Sequence, residues 1–216
     1  MEINACQFPD DLLYDVEGNV WVWRGSETLI VGATRIFAFI AGKIEAVKFK
    51  PIGSKLQTGM SIATVESSKY FGVVRSPVGG ELVEVNNELL GNPSLANKHP
   101  YTGGWFARIS PSDWKPENLL STAQAEPAFR LLVEKFHVRC FYVYPDYEVS
   151  GIGGECPETL GGLDELMKRM KEDQTVHLVT DNKLADADVP NWAFLRGYRM
   201  LETRREGSLL HFIMGK

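Results

Sequence analysis

The chain has 216 residues, 44% of them hydrophobic, and a formal net charge of −5. That is the composition of a globular protein long enough for two small cores. The charge divides as about −2 before residue 136 and −3 after it, so neither half has the basic excess of a nucleic-acid binder.

Taken in chain order, the first residues carry Cys6 in a stretch read as mobile, and the acids that follow Met1 are wrong for a secretion leader. A cytoplasmic location is therefore expected. Residues 36–41 form an apolar run of strand length, well short of the ~18 residues that suggest a membrane span, so no membrane partner is expected.

The most informative stretch is Thr64-Val65-Glu66-Ser67-Ser68-Lys69-Tyr70-Phe71-Gly72-Val73-Val74-Arg75-Ser76-Pro77. A short alternating strand leads into Glu66, and a second leaves from Tyr70 and stops at Ser76-Pro77, where proline cannot continue a ladder. Between them a tight polar turn presents Lys69 at its tip, flanked by small residues. An amine held out this way suits an acylating enzyme that recognises the hairpin. Ser76-Pro77-Val78-Gly79-Gly80-Glu81-Leu82-Val83 then reads as a turn and another strand. The run from Asn92-Pro93 to Gly103-Gly104-Trp105-Phe106 and Ile109 follows, and a helical stretch ends near Lys135.

This order resembles the H protein of the glycine cleavage system and its relatives, the lipoate-binding proteins of sulfur oxidation. Gly42-Lys43-Ile44 and Gly53-Ser54-Lys55-Leu56-Gln57-Thr58-Gly59 belong to the same resemblance. It implies an all-β lipoyl-type barrel-sandwich hybrid with flanking helices over residues 1–135. It also implies covalent lipoate on Lys69, with Glu66 as a recognition residue for lipoylation. Ser68 and Tyr70 stand where biotin carriers place methionines, so biotin is set aside. Where H proteins usually place small residues, this chain has Tyr70 and Phe71, an apolar pair suited to docking the arm.

Residues 136–146 read as a linker with a strand, in which Cys140 lies within an apolar run. From residue 147 onward the pattern is strand, helix, strand, helix, strand, strand, a small α+β two-layer sandwich of order βαβαββ. Its first helix opens at Cys156-Pro157 and carries Leu160, Leu163, Leu166, Met167 and Met170 at helical spacing. Gly153-Gly154-Glu155-Cys156-Pro157-Glu158 and Asp188-Val189-Pro190-Asn191-Trp192 resemble the TusA-type sulfurtransferases. That resemblance implies a persulfide on Cys156 and a sulfur-carrier domain over residues 147–216. The helix dipole would favour its thiolate, while Glu155 and Glu158 oppose it, and Thr159 replaces the family's second proline.

Three cysteines without a Cys-x-x-Cys pair argue against a zinc ribbon or a disulfide scaffold, and the four histidines are far apart, so no metal is expected. No nucleophile–base–acid set is visible, so a carrier is expected rather than a stand-alone enzyme. The leading reading is a lipoyl carrier fused to a sulfur carrier. Its partners would be a lipoate ligase or lipoyl transferase, with heterodisulfide-reductase-like enzymes, sulfurtransferases and dihydrolipoamide dehydrogenase. The alternatives are a glycine cleavage carrier of aminomethyl groups, served by glycine decarboxylase, and an unmodified assembly adaptor.

Overall fold

The computed structural model describes residues 1–112, 118–154 and 156–216, the Cys156 side chain excepted. The chain separates into two compact units, Met1–Cys140 and Phe141–Lys216.

The first unit begins with β1 (Glu2–Ile3) and β2 (Cys6–Gln7), then β3 (Leu13–Asp15), β4 (Val20–Arg24) and β5 (Leu29–Ala33). Helix α1 (Arg35–Ala41) leads to β6 (Ile44–Phe49), β7 (Lys55–Leu56), β8 (Ser61–Ser67), β9 (Phe71–Arg75) and β10 (Gly80–Val85). The short helices α2 (Glu88–Gly91) and α3 (Leu95–Lys98) precede β11 (Trp105–Pro111), β12 (Leu120–Ser121) and α4 (Thr122–Lys135). One sheet runs β12-β3-β4-β5-β11-β10-β7 and a smaller one β6-β8-β9.

The two sheets close on one apolar cluster. Val20, Val22, Leu29 and Val31 come from the larger sheet, and Val47, Ile62, Val65 and Val74 from the smaller. Alternation along each strand sends every second side chain inward, and truncating a fully buried member such as Ile62 to alanine would cost about 2–5 kcal/mol. A second cluster lies under α4, where Phe8 and Phe129 stack with centroids 4.3 Å apart and Tyr14 meets Phe129 edge-on.

Residues 36–41, expected as no more than a strand-length run, are helical. The Thr34 side chain caps the helix by accepting from Phe37 N–H at 3.3 Å, and Gly42 ends it at φ +68°. Apolar runs this short carry no period of their own, so the caps decide. Cys6 and Cys140 also differ from expectation. Cys6 is fully buried in β2 and disulfide-bonded to Cys140, which sits in no strand.

The second unit contains β13 (Tyr147–Ser150), α5 (Cys156–Arg169), β14 (Thr175–Thr180), α6 (Ala185–Leu195), β15 (Arg199–Glu206) and β16 (Leu209–Gly215). Its sheet order is β13-β14-β16-β15, with β13 and β14 parallel and the other pairs antiparallel. Leu163 and Met167 of α5 and Met170 just after it, with Val189, Trp192 and Ala193 of α6, cluster with Val176, Leu178, Phe212 and Met214 of the sheet. Alternation turns His177 and His211 to the opposite side, against Phe141 at 4.6 and 5.9 Å between ring centroids.

Candidate functional site

The strands β8 and β9 pair from Ser61↔Arg75 to Glu66↔Phe71. Ser67 N–H donates to Tyr70 O at 2.9 Å, which leaves Ser68 and Lys69 as a two-residue tip. Both are exposed, as is Glu66. No residue of the tip needs a positive φ, so L-residues fill it without strain.

What lies beneath the lysine is built by other elements. The Ser67 hydroxyl donates to Ala41 O at 2.6 Å and accepts from Lys69 N–H at 3.3 Å. It thereby satisfies one of the carbonyls that a helix leaves open at its C-terminus. A Cβ on Gly42 would run into Lys69 Cε and stand 3.3 Å from Nζ, so the lysine stem lies across this glycine. Gly42 has φ +68° and ψ −164°, a conformation essentially restricted to glycine. The ammonium is thus carried over the end of α1, where the helix dipole favours a cation.

Asn97 of α3, 1% exposed, holds this corner from below. Its Oδ1 accepts from Ile44 N–H at 2.9 Å, and its Nδ2 donates to Gly42 O at 2.8 Å and, more weakly, to Ala38 O at 3.4 Å. Neither Asn97 nor α1 was singled out as functional from sequence. The usable signals were a threonine before an apolar run and a glycine directly after it.

The two aromatics after the lysine separate. Tyr70 is half-buried, meets Phe37 edge-on at 5.8 Å between ring centroids and folds back over Gly72. Phe71 is 74% exposed. A cleft of about 840 Å³ adjoins the hairpin, lined by Phe37, Ile40, Tyr70 and Gly72 with Asp15 and Arg75 among its polar members.

In the second unit, the backbone of Cys156 opens α5 after the loop that follows β13. Glu155 and the Cys156 side chain lie outside the described residues. The loop before them is pinned: Gly153, at φ +71°, donates its N–H to Asp181 Oδ1 at 2.9 Å, and Thr180 Oγ1 donates to Gly151 O at 3.2 Å. Thr159 packs its side chain against Gly151, where a Cβ would stand 2.7 Å from Thr159 Cγ2. His177 and His211, far apart in sequence, come together with Nε2 and Nδ1 at 2.9 Å. Among the described residues, no group of three or more His, Cys, Asp or Glu side chains is placed to hold a metal ion.

The family model described as glycine cleavage H-protein matches residues 12–130. The chain belongs to the glycine cleavage H-protein family. It is 37% identical over 147 residues to glycine cleavage system H protein 5 of Aquifex aeolicus, covering 64% of this chain and 98% of that one. It is 38% identical to probable glycine cleavage system H protein 2 of Saccharolobus solfataricus, covering 60% of this chain and 88% of the relative. A crystal structure of a glycine cleavage system H protein from Mycobacterium marinum superposes with a TM-score of 0.50 at 23% identity, over 61% of this chain and all of that one. That likeness concerns the fold. Members of this H-protein family carry lipoate covalently on a lysine, and the model match lies wholly within the first unit.

Proposed function

We propose that Lys69 is the lipoylated lysine and that the chain works as a swinging-arm carrier. The observation that carries this reading is the geometry of the tip: an exposed amine on a two-residue turn, its stem laid over Gly42 and nothing bulkier than serine before it. A lipoyl group there would supply a dithiolane able to accept and release a transferred group. Ser67 fixes the height of the tip over α1, Glu66 stands exposed at its base for a ligase to read, and Tyr70 and the adjoining cleft give the arm an apolar place to rest. Co-expression with a lipoate ligase should add one lipoyl mass, and Lys69→Ala should abolish it. A lipoyl mass surviving in that variant overturns the assignment.

The cargo is proposed to be sulfur, held as a persulfide on Cys156 and exchanged with partner enzymes of sulfur metabolism in the cytoplasm. Support comes from the attached unit, in which a Cys-Pro pair opens α5 at the end of a loop pinned to Asp181. Thiolate attack on sulfur is the chemistry required, and its rate follows thiolate fraction and access. Treatment with polysulfide should add one sulfur that mild reductant removes, and Cys156→Ser should abolish the gain. The family match itself favours a second reading, aminomethyl transport between glycine decarboxylase and its partners with dihydrolipoamide dehydrogenase reoxidising the arm. A lipoylated protein that supports glycine decarboxylation and takes up no sulfur would establish that reading instead.

A further inference from the structure

The bond between Cys6 and Cys140 joins residues 134 positions apart, with Cys6 0% and Cys140 6% exposed. Residues 138–140 lie in no helix or strand. Val138 is fixed by its own N–H to Val133 O at 2.8 Å and by Asn4 Nδ2 donating to its carbonyl at 2.7 Å. Asn4 and Ala5, directly before Cys6, hold φ +49° and +59°, and His137 holds +48°. Such values are uncommon outside glycine and persist where surrounding structure enforces them.

The disulfide also sits in the cluster that receives one side of α1. Ile36, Phe39 and Ile40 belong to the same apolar cluster as Cys6 and Cys140, whereas Phe37 and Ala41 pack in the sandwich core together with Tyr70. The C-terminal end of the same helix takes the Ser67 hydroxyl and the Lys69 stem. One seven-residue helix thus lies against the cluster that holds the disulfide on one side and meets the lysine hairpin on the other.

We propose that Cys6–Cys140 is a redox latch on α1: a dithiol opens it, α1 loosens, and the Lys69 hairpin loses its fixed floor. In the opening step one thiolate of the dithiol attacks the Cys140 sulfur, and Cys6 leaves as a thiolate that takes up a proton. The second dithiol sulfur then attacks the mixed disulfide and releases Cys140, which is protonated in turn. The dithiol ends as a disulfide, having given up two electrons and two protons, and the protein gains two thiols. Access requires that 138–140, which lie outside helix and strand, peel from β2 by local opening.

The proposal does not rest on lipoylation, and its test uses the unmodified full chain. Backbone hydrogen exchange is read with the protein oxidised and after dithiothreitol, and alkylation counts the thiols. The reduced protein should show two additional alkylated cysteines, with roughly tenfold faster exchange in residues 35–41 and 66–71 and unchanged exchange in β10 and β11. A Cys6→Ala/Cys140→Ala variant should show the reduced pattern from the outset and no response to dithiothreitol. Three results would each overturn the latch: a bond that dithiothreitol leaves closed in the folded protein, an open bond with unchanged exchange in α1 and the hairpin, or a rise that spreads equally to β10 and β11.

Discussion

Asn97→Ala removes a side chain that never touches Lys69 yet sets the ground under it. The substitution strips Ile44 N–H of its acceptor and Gly42 C=O of its donor, at 2.9 and 2.8 Å, and both residues are buried. Leaving a buried polar group unmade costs about 1–3 kcal/mol, so the two together predict a loss of about 2–6 kcal/mol. The 3.4 Å contact to Ala38 adds little to that. Such a loss is a large fraction of the ~5–15 kcal/mol that holds a domain together. Because two units unfold, the first must be read by itself. In a Trp192→Phe background the remaining tryptophans all precede residue 141, so denaturant unfolding followed by fluorescence reports the first unit. Loading of Lys69 by a lipoate ligase should slow in parallel, because the corner between α1 and β6 loses its fixed geometry. A loss below about 1 kcal/mol would refute the reasoning, since water would then be satisfying both groups in place of the amide.

Gly42→Ala and Gly53→Ala each place a methyl group at positive φ and should each cost about 1–3 kcal/mol in denaturant unfolding. Only at Gly42 does that methyl meet the Lys69 stem, the space at Gly53 being open, so ligase loading should slow in the first variant and not in the second. Phe71→Ala should leave stability within about 0.5 kcal/mol of the parent, whereas Tyr70→Ala, which loses the Phe37 ring contact, should cost about 1–3 kcal/mol in the same experiment. Burial pushes the phenols of Tyr14, Tyr101 and Tyr144 above the usual tyrosine range. The stability they contribute is complete below the unfolded value of ~10 and is lost as pH rises beyond it, because only the unfolded chain can then ionise. Phenolate absorbance should show these three ionising only as the protein unfolds.

The lysine hairpin was legible because period-two alternation and a proline stop bracket it closely, and β8 and β9 end within a residue or two of where the pattern breaks. Strand β14 and the stripe of Leu163 and Met167 on α5, continued by Met170 just beyond it, were equally plain from periodicity. Helix α1 was not. Its seven residues are too few to display a 3.6-residue repeat, and its caps carry the information instead. The Cys6–Cys140 pairing was invisible for another reason, since connectivity across 134 positions leaves no local trace. The meeting of His177 and His211 follows from strand order, which places β16 beside β14; spacing along the chain says nothing about it. Asn97 lay in a run already singled out for its resemblance, but only the fold shows which of its polar residues faces inward.

Isolated helices shorter than about 12–15 residues are marginal in water, so α1, at seven residues, is maintained by the apolar clusters on its two sides. This bears on transplanting the site. A hairpin of residues 61–75 grafted onto a foreign β-sandwich would bring the lysine, the serine that tethers it and the acid at its base. It would leave behind the carbonyl of Ala41 that receives the serine and the glycine over which the lysine lies. The portable unit is therefore discontinuous: the hairpin, the segment 34–44 and Asn97, three pieces of chain that only their own core brings into register.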